Sequence, residues 1–147
     1  MSRTANLRRQ HDAAIQLSDE ILSLSNAADG PANAARIAMT LAKLTGVLRI
    51  HFAQEDRVIY PYMLQSADRA AARVALTFQS EMGALSPRFQ DYAQRWSTAR
   101  AIAAGFIDFR SESKWLLSAL VHRIRREDAE LYPLADAMQP ADVRRAG

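Results

Sequence analysis

The stretch RIAMTLAKLTGVLRIHFAQEDRVIYPY, residues 36–62, decides the fold. Within it Ile37, Leu41, Leu44, Leu48, His51, Glu55, Val58 and Tyr62 step by 4, 3, 4, 3, 4, 3 and 4 residues. Such a spacing is one seam of a helix packed in a bundle. Two consecutive seam positions, His51 and Glu55, are polar where a core should lie. The same stretch ends on Glu-Asp, two variable residues, an aliphatic residue and Tyr-Pro, a pattern that returns in HRIRREDAELYP from His122. The histidine stands four residues before the glutamate in the first copy and five in the second.

Outward from this segment the helical period continues. A first segment, about residues 5–25, carries Leu7, His11, Ala14, Ile15, Ser18 and Leu22 on one side, and Gly30-Pro31 closes the connection after it. A third, about 69–97, has the seam Val74, Phe78, Glu81, Leu85, Phe89, Tyr92, Trp96, with Pro87 inside it and Ser66 or Asp68 placed to cap its start. A fourth, about 99–136, presents Phe109, Leu116, Leu120, Ile124 and Leu131, and an adjacent stripe of Trp115 and Ala119 leads to His122. With the second segment at about 32–65, these form a single all-α domain over residues 1–147. The expected architecture is an up-down-up-down four-helix bundle.

Composition agrees and excludes several functions. Hydrophobic residues make up 49% and charged residues 24% of the 147, ordinary for one globular domain. There is no cysteine, so disulfides, thiolate metal sites and cysteine nucleophiles drop out together. The N-terminus has no apolar h-region and no apolar run approaches the ~20 residues of a membrane span, so a cytoplasmic protein is expected and no membrane partner. The net charge of +3 does not call for nucleic acid, because basic and acidic residues are interspersed. Its densest basic cluster, Arg123, Arg125 and Arg126, runs straight into Glu127 and Asp128 and reads as a solvated helix face.

The polar residues in the seams carry the chemistry. All three histidines, His11, His51 and His122, fall on or beside inner stripes of helices one, two and four, and Glu55, Glu81 and Glu127 fall on helices two, three and four. Buried unpaired, such groups would cost several kcal/mol each. A metal ion satisfies imidazoles and carboxylates together, and bundle cores are common places for such sites. His51 and Glu55 are one turn apart and stack on one face. Glu127 lies about 140° round the helix from His122 and roughly 7.5 Å further along. That suits a wide two-ion site better than one shared ion.

These motifs resemble the hemerythrin-like, or HHE cation-binding, family: a lone His11 on helix one, His51-x3-Glu55 running into VIYP, and His122-x4-Glu127 running into ELYP. The resemblance covers essentially the whole chain. It implies a four-helix bundle with a non-haem di-iron centre, with His11 and His51 on one iron, His122 on the other, and Glu55 and Glu127 bridging. Members bind oxygen, sense oxygen, redox state or nitric oxide, regulate iron metabolism, or decompose peroxide.

One departure stands out. The family places one or two histidines on helix three, and here FQSEMGALSPRF has Met82 at the equivalent position with Glu81 before it. Either Glu81 takes over as ligand, or the second metal is loosely held or missing, or the site is degenerate. A carboxylate-rich site favours the higher oxidation state, which argues against simple oxygen carriage and admits zinc or manganese beside iron. The leading expectation is a metal-binding sensor or regulator linked to oxygen, redox state or nitric oxide and read by a partner protein. No catalytic residues are assigned on that reading. A peroxide-decomposing or oxidase-like di-iron enzyme, using Tyr60, Tyr62 or Tyr132, is the alternative from the enzyme class. A degenerate bundle acting through protein contacts is the third.

Overall fold

A computed structural model describes residues 2–138. Residues 139–147 of the expected domain lie outside the described residues. Four helical rods run antiparallel in an up-down-up-down bundle, with no strand among the described residues. The first rod is α1 (Ala5–Asn26), followed by a single 3-10 turn at Gly30–Asn33. The second comprises α2 (Ala34–Gln54), a π turn at Glu55–Ile59 and α3 (Tyr60–Leu64). The third is α4 (Arg69–Arg95), which continues through Pro87. The fourth comprises α5 (Ala99–Ala104), α6 (Phe106–Arg126), a second π turn at Glu127–Leu131 and α7 (Tyr132–Ala137).

Two helix starts are set by short polar side chains. Asp68 accepts hydrogen bonds from the amides of Ala70 and Ala71, and Thr98 from that of Ala101, so each satisfies a donor with no partner in its own first turn. Gly30 is fixed by a close approach. A Cβ there would lie 2.5 Å from the Phe106 ring and 2.9 Å from the Ser25 carbonyl oxygen.

The two π turns explain the repeated sequence pattern. Each begins at the glutamate and ends just before Tyr-Pro, and each is closed by a wide bond, from the Tyr60 amide to the Glu55 carbonyl and from the Tyr132 amide to the Glu127 carbonyl. In an unbroken α-helix the rings of Pro61 and Pro133 would strike the carbonyls of Arg57 and Ala129, and neither proline has an N–H to give. A π turn inserts one residue and removes that conflict. The insertion also shifts the seam. The sequence pattern places Val58 and Tyr62 inward, but Val58 is exposed and Tyr62 only half-buried, while Ile59, Tyr60 and Met63 fill the core.

Apolar packing forms two blocks. The larger contains Ile21, Ile37, Leu41, Leu44, Leu48, Tyr92, Phe109, Leu117 and Leu120. The smaller contains Leu7, Ile59, Tyr60, Met63, Phe78, Leu131 and Tyr132. Between them lies a buried polar layer of His11, His51, Glu55, Arg123 and Glu127. The chain ends of the bundle are tied beside it. Thr4 donates from its amide and its hydroxyl to the two oxygens of Asp136, at 3.0 and 2.7 Å.

Candidate metal centre

Three rods deliver the polar layer. His11 comes from the middle of α1, His51 from the last turn of α2, and Glu55 and Glu127 each open a π turn. The Nε2 atoms of His11 and His51 lie 3.0 Å apart. Glu127 Oε1 is 2.9 Å from His11 Nε2 and 3.7 Å from His51 Nε2. Glu55 Oε1 is 3.1 Å from His51 Nε2. Donor atoms held about 2.1 Å from one ion stand roughly 3.0 to 3.4 Å from each other, so the three shorter separations match a single coordination shell and the His51–Glu127 separation is slightly wider.

The outer ring nitrogens fix the tautomers. His11 Nδ1 faces Asp128 Oδ1 at 2.8 Å, and His51 Nδ1 faces Gln10 Oε1 at 2.9 Å, with the Gln10 amide nitrogen donating to Gln54. A proton on each Nδ1 satisfies both acceptors and leaves both Nε2 lone pairs aimed at the centre, the arrangement of a ligating histidine and its supporting acceptor. Tyr132 completes the wall. Its hydroxyl donates to Glu55 Oε2 at 3.0 Å and lies 3.2 Å from His11 Nε2, with its ring stacked on His11.

While both rings are neutral, two lone pairs and two carboxylates therefore converge with no hydrogen between them. Glu55 Oε1 is buried, and while the His51 ring is neutral with its proton on Nδ1 no donor reaches it. The electrostatics carry the same message. Burial works against a charged His51, but hydrogen bonds to Glu127 and Glu55 and the charges of both outweigh it and push its pKa up to about 9. Burial and the charge of Glu127 push Glu55 from 4.5 up to about 7 against the pull of His51. Burial also acts against Glu127, yet hydrogen bonds from His11 and His51, together with the Arg123 charge, hold it far below the ordinary carboxylate range. Burial and the neighbouring carboxylates keep Tyr132 protonated. The two buried carboxylates thus favour positive charge at His51.

Two of the six expected ligand positions lie elsewhere. His122 is exposed on the outer face of α6, as is Trp115, while Ala119 between them is half-buried. The buried line of α6 runs through Phe109, Ser113, Leu116, Leu120, Arg123 and Ile124, and His122 falls off it. Glu81 also faces outward: the buried line of α4 passes from Phe78 to Met82, and Glu81 Oε2 pairs with Arg123 at 2.9 Å and Arg126 at 2.7 Å. Thus the expectation that every histidine points inward is corrected. So is the reading of Arg123 as part of a solvated face: its side chain is buried, whereas Arg125 is exposed. Its signal in the sequence was its place one turn before Glu127. Gln10 and Asp128, beside His11 and Glu127 in the chain, gave no signal of their own.

The sequence profile of the hemerythrin HHE cation binding domain matches residues 2–135. The chain belongs to the hemerythrin HHE cation-binding family. No match is found among curated proteins or among solved structures. Within this hemerythrin-like bundle the buried group His11, His51 and Glu127 offers ligand atoms all within 4.8 Å of one another. Glu55 adds its unpartnered oxygen to that group. No described helix is long and apolar enough to cross a membrane.

Proposed function

We propose that His11, His51, Glu55 and Glu127 hold a non-haem metal, iron in the first place with zinc or manganese as alternatives, in a cytoplasmic protein that senses oxygen, redox state or nitric oxide. The observation that carries the metal reading is the close approach of the two buried imidazole Nε2 atoms and the Glu127 and Glu55 carboxylates. Iron, when bound, supplies redox change and an affinity for small oxidants and nitric oxide. A cleft of about 310 Å³, large in volume beside a diatomic molecule or peroxide, has Phe52, Glu55, Gln79, Met82 and Pro87 in its lining.

The sensory reading draws on the π turns. Glu55 and Glu127 each open one, on two different rods. A change in how either carboxylate is held is therefore passed to backbone that is already departed from α-helical bonding. A partner protein then reads the outer faces of those turns. The test is hydrogen exchange on iron-loaded protein, reduced anaerobically, then oxidised or exposed to nitric oxide. The reading expects exchange to change at residues 55–64 and 127–137 and stay constant in the large apolar block. Unchanged exchange at both turns would remove it.

Tyr132 favours a second reading, peroxide decomposition. Its hydroxyl holds a proton 3.0 Å from Glu55 Oε2 and close to both Nε2 atoms, a suitable position for a general acid. Iron-dependent peroxide consumption that is lost in His51→Ala and slowed in Tyr132→Phe would favour the enzyme over the sensor.

A further inference from the structure

The Arg123 guanidinium lies on the side of Glu127 away from the histidines. Glu127 Oε1 faces His11, while Oε2 accepts from Arg123 Nε at 3.3 Å. The remaining guanidinium nitrogens donate to Glu81 Oε2 at 2.9 Å, to the Tyr60 hydroxyl at 3.2 Å and to the Phe78 carbonyl. Four of the five N–H groups are thereby directed to partners on three rods, and the group packs over the Phe78 ring at 4.5 Å. A side chain only 5% exposed and paired this completely is part of the interior and is permanently charged.

That placement bears on how many ions the layer can take. A carboxylate that bridges two ions through both oxygens offers one to each, and the second oxygen of Glu127 is already taken by Arg123. Among the described residues, the other oxygens on that side, from Glu81, the Tyr60 hydroxyl and the Phe78 carbonyl, are likewise taken by Arg123. The chain's third histidine, His122, is exposed, Met82 supplies only a thioether, and Glu81 is turned outward to its two arginines. A second divalent ion there would also lie beside a buried, permanently charged guanidinium, which repels it.

We propose that this chain binds one metal ion, not two, and that the Arg123 guanidinium permanently fills the place of the second. Glu127 is then a terminal ligand whose outer oxygen is oriented by Arg123, and Arg123 is a positioning residue. This inference rests on the metal reading of the cluster, and its test separates the two.

The experiment titrates metal-free protein with Zn2+ and with Mn2+, measuring stoichiometry by calorimetry and by elemental analysis after desalting. The Mn2+ form is also examined by electron paramagnetic resonance. The expected result is one ion per chain with the six-line spectrum of an isolated Mn2+. Two ions per chain with an exchange-coupled spectrum would overturn the one-ion proposal and leave the metal reading standing, while no binding at all would overturn both. Arg123→Gln should admit a second ion, at least tenfold weaker than the first, and Arg123→Lys, which keeps the charge, should bind one. If Arg123→Gln folds and still binds a single ion, the guanidinium does not set the count and its part in the proposal is wrong.

Discussion

Glu55→Gln should stabilise the metal-free protein and abolish its response to metal. The carboxyl is buried, one of its oxygens lacks a donor, and its pKa is raised from 4.5 to about 7 by burial and by the charge of Glu127. That displacement corresponds to ~3 kcal/mol of penalty on the charged form. Because Glu127 and His51 adjust when the charge is removed, a gain of about 1 to 3 kcal/mol is expected at pH 8. For a chain of this size that is a rise in melting temperature of roughly 3 to 10 °C. The amide oxygen still accepts from Tyr132, and the amide nitrogen supplies the hydrogen the cluster lacks. The sign depends on pH. A folded pKa above the unfolded value means stability that is full below about pH 4.5 and lost as the pH rises through 7, so wild type and variant should coincide near pH 4.5 and separate by pH 8. Thermal melts in chelator across this range, repeated with Zn2+, measure both effects. A variant that melts lower than wild type at pH 8 without metal, or that keeps the full metal-induced rise, would show that the Glu55 environment has been misread.

Other consequences are as specific. His51 is raised to about 9, so its contribution to metal-free stability is complete below about pH 6.5 and disappears as the pH passes 9. Zn2+ affinity, which requires that proton to leave, should rise over the same interval in a pH series of titrations. His122→Ala should change neither metal binding nor stability by more than about 0.5 kcal/mol, since the residue is exposed, whereas His11→Ala should remove binding. Asp128→Ala takes the acceptor from His11 Nδ1 and should weaken Zn2+ binding by about 10- to 100-fold with the ligands themselves intact.

The bundle was legible because its seams repeat at helical spacing for many turns, and the buried residues of α1 and of α2 up to Glu55 follow that spacing. His11, His51, Glu55 and Glu127 were legible for the same reason: each is a polar residue at an apolar position. Legibility failed where the period itself changes. The π turn at Glu55–Ile59 adds a residue to the seam, which moves Ile59 and Tyr60 inward and Val58 outward. The duplicated Glu-Asp to Tyr-Pro pattern carried that information, since a proline six residues after a seam glutamate forces the backbone to widen. His122 was placed inward by the stripe of Trp115 and Ala119 beside the apolar side of its helix, but Arg123, one turn before Glu127, takes the interior position instead. Glu81 against Met82 was a choice between adjacent residues, and the long seam of α4 tolerated either until packing selected the apolar one.

The most direct measurement is the metal content of protein loaded anaerobically with ferrous ion and desalted, beside a His11→Ala/His51→Ala chain treated identically. The expected result is iron retained by the wild-type chain, a higher melting temperature than in the metal-free form, and loss of both in the double variant. A wild-type chain that emerges without iron and melts unchanged, or a double variant that retains as much iron as wild type, would contradict a metal centre built on these residues.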